Sequence, residues 1–414
     1  MTNSYQKEYG LRLRVSALRR EVFEQNDPAS EQSLLDELTT AERALSKLDQ
    51  SQSTDDDPAE LENQPLGGRI IDTAAAQTEA LVHEVSGEAT TGLDARAVLR
   101  MAQVPTSIYH LFDRDANPLV TCTVRNASKA IRRLRISSFV EGYSGRAIDT
   151  VEIEPNQTAT VDQLPTLFHH RVRDLTELTA ASVNMLIEDL DGKVELHSTR
   201  ALPLLARTTA PLAIRDPATG KWSDVTKYFG AFVTPNAPTL MQFLRVVAEQ
   251  LPDPRMVGYL GSDDEVVAQV EAIFGALKNT GIIYVNSVVS FSPEEGAAMQ
   301  RVRLPRETLK DREANCIDGT VLVASLLEGI SMNPAIVIVP GHALVGWQNR
   351  PDADTWSYLE TTMIGTSTFA EARESAEKMV ATYRDLATAT SNPALFRQWS
   401  LSDLRTEHGI TPME

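Results

Sequence analysis

The stretch Ala314-Asn-Cys-Ile-Asp-Gly-Thr-Val-Leu-Val-Ala-Ser-Leu-Leu-Glu-Gly329 decides how the C-terminal half of the chain is read. In it Cys316 opens an apolar helix, Thr320 to Glu328, which Gly329 closes. A helix N-terminus offers backbone N–H groups that lack partners within the helix, and a partial positive charge. Both favour a thiolate over a thiol. Twenty-six positions on stands Gly341-His342-Ala343, after the apolar run Ala335 to Val339 and Pro340, so His342 opens a strand. Eighteen positions further, Leu359-Glu360-Thr361 falls on the next strand. A hairpin centred on Pro351, within the turn-forming loop Asn349 to Asp354, puts residues 342 and 360 directly opposite each other. Cross-strand Cβ atoms are then about 5 Å apart, near enough for a carboxylate to hold an imidazole. A nucleophile (Cys316), a proton shuttle (His342) and an orienting acid (Glu360) thus follow one another on three elements. For the oxyanion, the Cys316 amide is one donor. Gln300, in Met299-Gln-Arg-Val-Arg-Leu-Pro305, is the second candidate, with Asn315 and Asn286 competing. Trp347 and Trp356 flank the hairpin and read as packing for its sheet.

Asn315-Cys-Ile-Asp-Gly-Thr-Val-Leu-Val-Ala-Ser-Leu-Leu-Glu328, Pro340-Gly-His-Ala-Leu-Val-Gly-Trp347 and Tyr358-Leu-Glu-Thr-Thr362 together resemble the transglutaminase-like superfamily of cysteine hydrolases. The resemblance covers roughly residues 224 to 369. It implies a papain-like α+β domain in which Cys316, His342 and Glu360 are catalytic, and an activity among peptidases, amidases, peptide N-glycanases and acyl transferases. Two features depart from the family pattern. The third member is Glu360 where Asp is usual, and Cys316 lacks the Gly-Gln-Cys-Trp setting of the calcium-dependent crosslinking enzymes.

Outward from this core, apolar stripes at Leu240, Phe243, Leu244 and Val247, and from Val266 to Leu277 ahead of Gly281, predict two helices. A strand is predicted over Ile282 to Val289, and a helix over Phe369 to Leu386 before a looser tail through Trp399 and Pro412. Between about Pro105 and Ala210 the period drops to two. Val120, Cys122 and Val124 alternate with Thr121, Thr123 and Arg125, and further alternating runs lie at 133–138, 151–153, 158–161, 183–187 and 194–196. Turns such as Glu154-Pro-Asn156 and Asp189-Leu-Asp-Gly192 separate them, a pattern that predicts an antiparallel β-sandwich with Cys122 as a core thiol. The first 104 residues read as helical. Leu34, Leu38, Ala41, Leu45 and Leu48 form a short coiled-coil or hairpin seam, with Ser30 as its N-cap, so residues 30–50 are a candidate oligomerisation or adaptor surface. A mobile acidic linker is expected near 49–68 and a helix from Ile70 to Val85. The predicted organisation is therefore multidomain: helical 1–104, sandwich 105–210 and catalytic α+β 211–414.

Composition narrows the function. A formal net charge of -18 argues against nucleic acid or an anionic membrane as partner. Two distant cysteines exclude a disulfide framework and fit a reducing, cytoplasmic compartment. No secretory leader and no apolar run of membrane-spanning length is visible. His169-His170 lacks companions at metal-ligand spacing, so neither metal nor cofactor is expected. Two functions fit: a cysteine peptidase acting on a protein or peptide substrate, or a catalytically inactive scaffold working through its helical and sandwich regions.

Overall fold

The computed structural model describes residues 92–285, 299–351 and 353–413, with Thr40, Glu84 and Val85. The chain divides into two compact units, Met1–Ile70 and Ile71–Glu414, and every described residue but Thr40 belongs to the second. The seam at Leu34 to Leu48, its Ser30 cap and the acidic linker lie outside the described residues. Of the helix expected over Ile70 to Val85, only the end is described. Glu84–Val85 is a strand (β1), paired antiparallel with β2, Leu93–Leu99. A β-sheet therefore starts inside the region read as helical, ahead of the expected boundary at residue 105.

Period-two alternation delivers two four-stranded antiparallel sheets. One has the order β1-β2-β3-β6, with β3 at Val120–Asn126 and β6 at Thr158–Gln163. The other has the order β5-β4-β7-β8, built from Arg132–Val140 (β4), Ala147–Ile153 (β5), Thr179–Asp189 (β7) and Val194–Leu204 (β8). Val120, Cys122 and Val124 from the first sheet and Leu134 and Ile136 from the second enter one buried cluster, while Thr121, Thr123 and Arg125 turn away from it. The Glu154-Pro-Asn156 turn closes as expected, with Asn156 at φ 62°. His169–Val172 forms a single helical turn, α1.

Beyond β8 comes β9, Thr209–Pro211, which pairs antiparallel with β13, Met299–Arg301. The expected division at 210/211 therefore runs through a strand whose partner lies in the C-terminal half. A small hairpin, β10 (Ala213–Arg215) with β11 (Trp222–Asp224), follows. The two predicted helices form as α2, Pro238–Ala248, and α3, Asp263–Asn279. The latter is started by a Ser262/Glu265 capping box, in which each side chain bonds the other's backbone N–H. The strand predicted from Ile282 is described over Ile283–Tyr284 (β12), parallel to β14, Glu313–Ala314. Between them lies α4, Pro305–Asp311.

The C-terminal sheet has the order β17-β16-β15-β18, from Trp356–Leu359, His342–Gln348, Pro334–Val339 and Arg397–Ser400. The helix α5, Cys316–Gly329, buries Val321, Leu322, Leu326 and Leu327 in the cluster that also takes Ile336, Ile338, Val345 and Trp347. On the other face Val337, Val339, Leu344 and Tyr358 meet Ala376, Met379 and Val380 of α6, Phe369–Thr390, with Trp356 packed beside them. Both tryptophans pack the sheet. The tail is more ordered than expected, because β18 completes the sheet and α7, Leu401–Thr406, buries Leu401 and Leu404. The whole is a mixed α/β chain with several antiparallel sheets.

Candidate active site

Cys316 is the first residue of α5, opening the helix as expected, four residues ahead of its apolar run. Asn315 caps it. The Asn315 Oδ1 accepts the Asp318 N–H at 2.8 Å, and Asp318 Oδ2 accepts the Asn315 N–H at 3.2 Å. Asp318 is also held by Arg303, whose backbone N–H reaches Oδ1 at 2.7 Å and whose guanidinium reaches Oδ2 at 3.0 Å. Arg303 bonds Glu313 with its other terminal nitrogen. The turn that carries the sulfur is thus tied to Arg303 and, through its guanidinium, to Glu313. Cys316 itself is half-buried.

Pro340-Gly341 is a two-residue turn between β15 and β16, closed by the Val339–His342 pair. Gly341 has φ +75°, which suits the second central position of a type II turn and is strained for any side chain. His342 therefore emerges from a rigid corner. Its Nε2–H donates to Glu360 Oε2 at 2.6 Å. Since Nε2 is occupied, Nδ1 is the nitrogen left for the Cys316 thiol, the second hydrogen-bonding partner of the ring. The structure joins His342 to Glu360, but not in the register expected from the sequence. Val345 pairs with Leu359 and Gln348 with Trp356, so the ladder, continued, would set Leu344 and not His342 across from Glu360. The two functional side chains are diagonal neighbours offset by two positions. The longer reach of Glu over Asp suits that offset.

Glu360 lies just past the end of β17 rather than on the strand as expected, because it caps the 3-10 turn Thr361–Met363. Its Oε1 accepts the Thr362 N–H at 2.9 Å and the Thr362 hydroxyl at 2.6 Å. With Oε2 on His342, both carboxylate oxygens are satisfied although the side chain is 0% exposed. The same turn presses on α5. A Cβ at Gly319 would lie 2.6 Å from Thr361 Oγ1 and 2.9 Å from its Cβ, so glycine there lets the turn that carries Glu360 approach α5. Thr361 Oγ1 also donates to the Cys316 carbonyl at 3.4 Å. Thr362, Gly319, Asp318 and Arg303 went unassigned in the sequence reading. For Asp318 a signal existed, since Asn315-x-x-Asp318 has capping-box spacing.

The electrostatics follow from this packing. Burial alone would lower the His342 pKa, but the Glu360 charge and the hydrogen bonds to Cys316 and Glu360 overcome it and raise the value to about 10. Burial likewise pushes Glu360 up, yet its neighbour's positive charge and the Thr362 bonds leave it below the ordinary carboxylate range. The pair therefore favours imidazolium and carboxylate at neutral pH. His342 keeps 21% of its side chain exposed, so the ring is reachable from solvent while the acid behind it is not.

Gln300 and Asn315 meet at one acceptor. Gln300 Nε2 donates to the Arg301 carbonyl at 3.2 Å and Asn315 Nδ2 to the same oxygen at 3.0 Å. The Asn315 side chain is buried and serves as the helix cap. Gln300 is partly exposed on β13, one carbonyl away from that cap, and Asn286 lies outside the described residues. Cys122 is 1% exposed, and burial pushes its thiol up to about 12. Among the described residues no cluster of His, Cys, Asp and Glu could hold a metal ion, and no helix is long and apolar enough to cross a membrane.

No protein-family model and no curated protein matches the sequence. Among solved structures the chain is similar to a FixG-related protein from Vibrio parahaemolyticus, at 11% identity over 28% of this chain and 97% of that one, with TM-score 0.18. It is also similar to native alpha-2-macroglobulin from Escherichia coli, spanning domain MG7 to the C-terminus, at 13% identity over 39% of this chain and 31% of that one, TM-score 0.17. The trypsin-activated form of that macroglobulin aligns at 11% identity over 47% of this chain and 15% of that one, TM-score 0.19. Likenesses this loose carry no argument about fold or function.

Proposed function

We propose that the chain is a thiol-dependent hydrolase of transglutaminase-like type, a cysteine peptidase that cleaves a protein or peptide through Cys316, His342 and Glu360. The observation behind this assignment is the 2.6 Å bond from His342 Nε2 to a fully buried Glu360, with Cys316 as the ring's other partner at the first position of a helix. A buried carboxylate behind a solvent-reachable histidine beside a half-buried thiol costs desolvation, and such perturbed groups cluster at functional sites.

In the reaction, the Cys316 thiolate, paired with a His342 imidazolium that already carries the proton, attacks the scissile carbonyl carbon. An S–C bond forms, and the carbonyl π electrons move to oxygen, facing the first-turn amides of α5 and the Gln300 side of the site. As the tetrahedral species collapses, the C–N bond breaks and imidazolium gives its proton to the departing amine, leaving a thioester. Water then loses a proton to His342 and adds to the thioester. The C–S bond breaks, the acid product leaves and the thiolate–imidazolium pair returns. Glu360 holds the ring and stabilises its charged form throughout.

Iodoacetamide is a direct test. At neutral pH Cys316 should be alkylated far faster than Cys122, and the rate at Cys316 should collapse in His342→Ala. New N-termini generated from a protein mixture should vanish with Cys316→Ala. Slow, equal labelling of both cysteines would instead favour the scaffold role.

A further inference from the structure

We infer that the Arg303–Asp318 pair is a positioning device for the nucleophile: it fixes the turn that bears Cys316 and cancels the negative charge that Asp318 would otherwise place in that turn. This rests on the thiol-hydrolase reading. Asp318 sits two residues after Cys316, in the first turn of α5. Its side chain is 0% exposed and that of Arg303 only 7%. A helix cap needs no such burial. The Asn315 side chain already caps α5, and an acid at this position elsewhere, Glu371 in the Thr368 capping box of α6, is exposed. Burying an ion pair is seldom repaid in stability, since well-packed apolar residues would do as well. The desolvation is real here, because burial pushes the Asp318 carboxyl up despite its bonds to Arg303 and Asn315.

What the pair gives in return is local. An uncompensated carboxylate within one turn of a thiol disfavours the thiolate. Arg303 supplies the opposite charge from fifteen positions upstream, and its bonds to both Asp318 oxygens hold it in place. The other charged groups facing this turn are His342 on β16, Glu360 at the end of β17, and Glu313 on β14, which takes the remaining guanidinium bond and is 34% exposed. The Arg303 backbone bond to Asp318 also anchors residues 301–303, whose Arg301 carbonyl receives both Asn315 and Gln300. The same pair therefore sets how near Gln300 comes to the sulfur-bearing turn.

The test is the pH dependence of Cys316 alkylation by iodoacetamide in the full chain, with Cys122 as an internal slow control and thermal melting as a check on folding. In Arg303→Met the alkylation midpoint should rise by about one pH unit, and in Asp318→Asn it should fall by about as much. The double variant should return close to wild type, and Arg303→Lys should hold the midpoint while lowering the alkylation rate. A purely structural pair would lower the melting temperature in all of these without moving the midpoint in opposite directions. Unmoved midpoints, or shifts of the same sign in Arg303→Met and Asp318→Asn, overturn the inference. Should Arg303→Met fail to fold, an unmoved Asp318→Asn midpoint suffices to overturn it, and failure of all variants to fold would assign the pair to stability alone. A wild-type Cys316 as slow as Cys122 would strike the hydrolase reading itself, whereas a fast Cys316 indifferent to both charges strikes only this inference.

Discussion

The two cysteines occupy opposite kinds of surroundings. Cys122 lies mid-strand in β3, walled in by both sheets at 1% exposure, and burial lifts its thiol to about 12. Cys316 starts a helix, is half-buried, and shares its histidine with a buried acid. One side chain is a small apolar filler and the other the nucleophile of the proposed hydrolase, and nothing in cysteine itself separates them. Solvent access, a nearby imidazolium and the start of a helix decide.

That contrast can be broken in graded ways. The largest effect is the reactivity ratio itself. At pH 7 Cys316 should outpace Cys122 towards iodoacetamide by at least on the order of 10³-fold, measured by mass spectrometry of the two peptides. A ratio near one would erase the distinction. Next, His342→Ala should lower Cys316 alkylation and any hydrolytic rate by about 10²–10⁴-fold while leaving Cys122 unchanged. Gly319→Val should cut activity comparably without touching a reacting group, because its side chain would collide with Thr361 and drive the Glu360 turn away. Full activity in that variant would show that the close approach is dispensable.

Glu360→Gln sharpens the picture through pH. His342 must be protonated to release the amine, so the alkaline limb of the rate profile should lie near 10 in wild type. Without the carboxylate it should retreat towards 6.5, the ordinary value for histidine. Stability carries the same sign. A raised folded-state pKa makes the contribution of His342 full below about 6.5 and lost as pH climbs through about 10, which thermal melts across that window would register. The smallest effect belongs to Cys122. Cys122→Ala should cost about 1 kcal/mol of stability by leaving a small void between the sheets, with catalysis unaffected.

Much of the architecture was legible because it is written locally. Alternation at Val120, Cys122 and Val124 has one outcome, a half-buried strand, and the stripes from Leu240 and Val266 have one outcome, an amphipathic helix. His342 as a strand opener followed from Pro340-Gly341. The register between β16 and β17 was not legible, because it depends on how the loop between them closes. The Asn349 N–H bonds the Thr355 carbonyl at 3.1 Å, a detail that composition does not encode. The charge network behind Cys316 was hidden for a related reason. Arg303 and Asp318 are fifteen positions apart, and each alone looks like an ordinary surface residue. The sheet at β1 and β2 was missed because Leu93–Leu99 contains Asp94, Ala95, Arg96 and Ala97, weak strand formers held in place by pairing with β3.

The pairing of β9 with β13 also bears on how the molecule can be dissected. Thr209 and Ala210 are ladder partners of Arg301 and Gln300, the Val302 N–H bonds the Thr208 carbonyl at 2.7 Å, and Arg207 bonds Glu307 at 2.6 Å. A fragment that begins at residue 211 would sever all of these and leave a raw edge next to the cysteine. Severing upstream of Arg207 would spare them, so the C-terminal half has to borrow its neighbour's last few residues to keep its own wall intact.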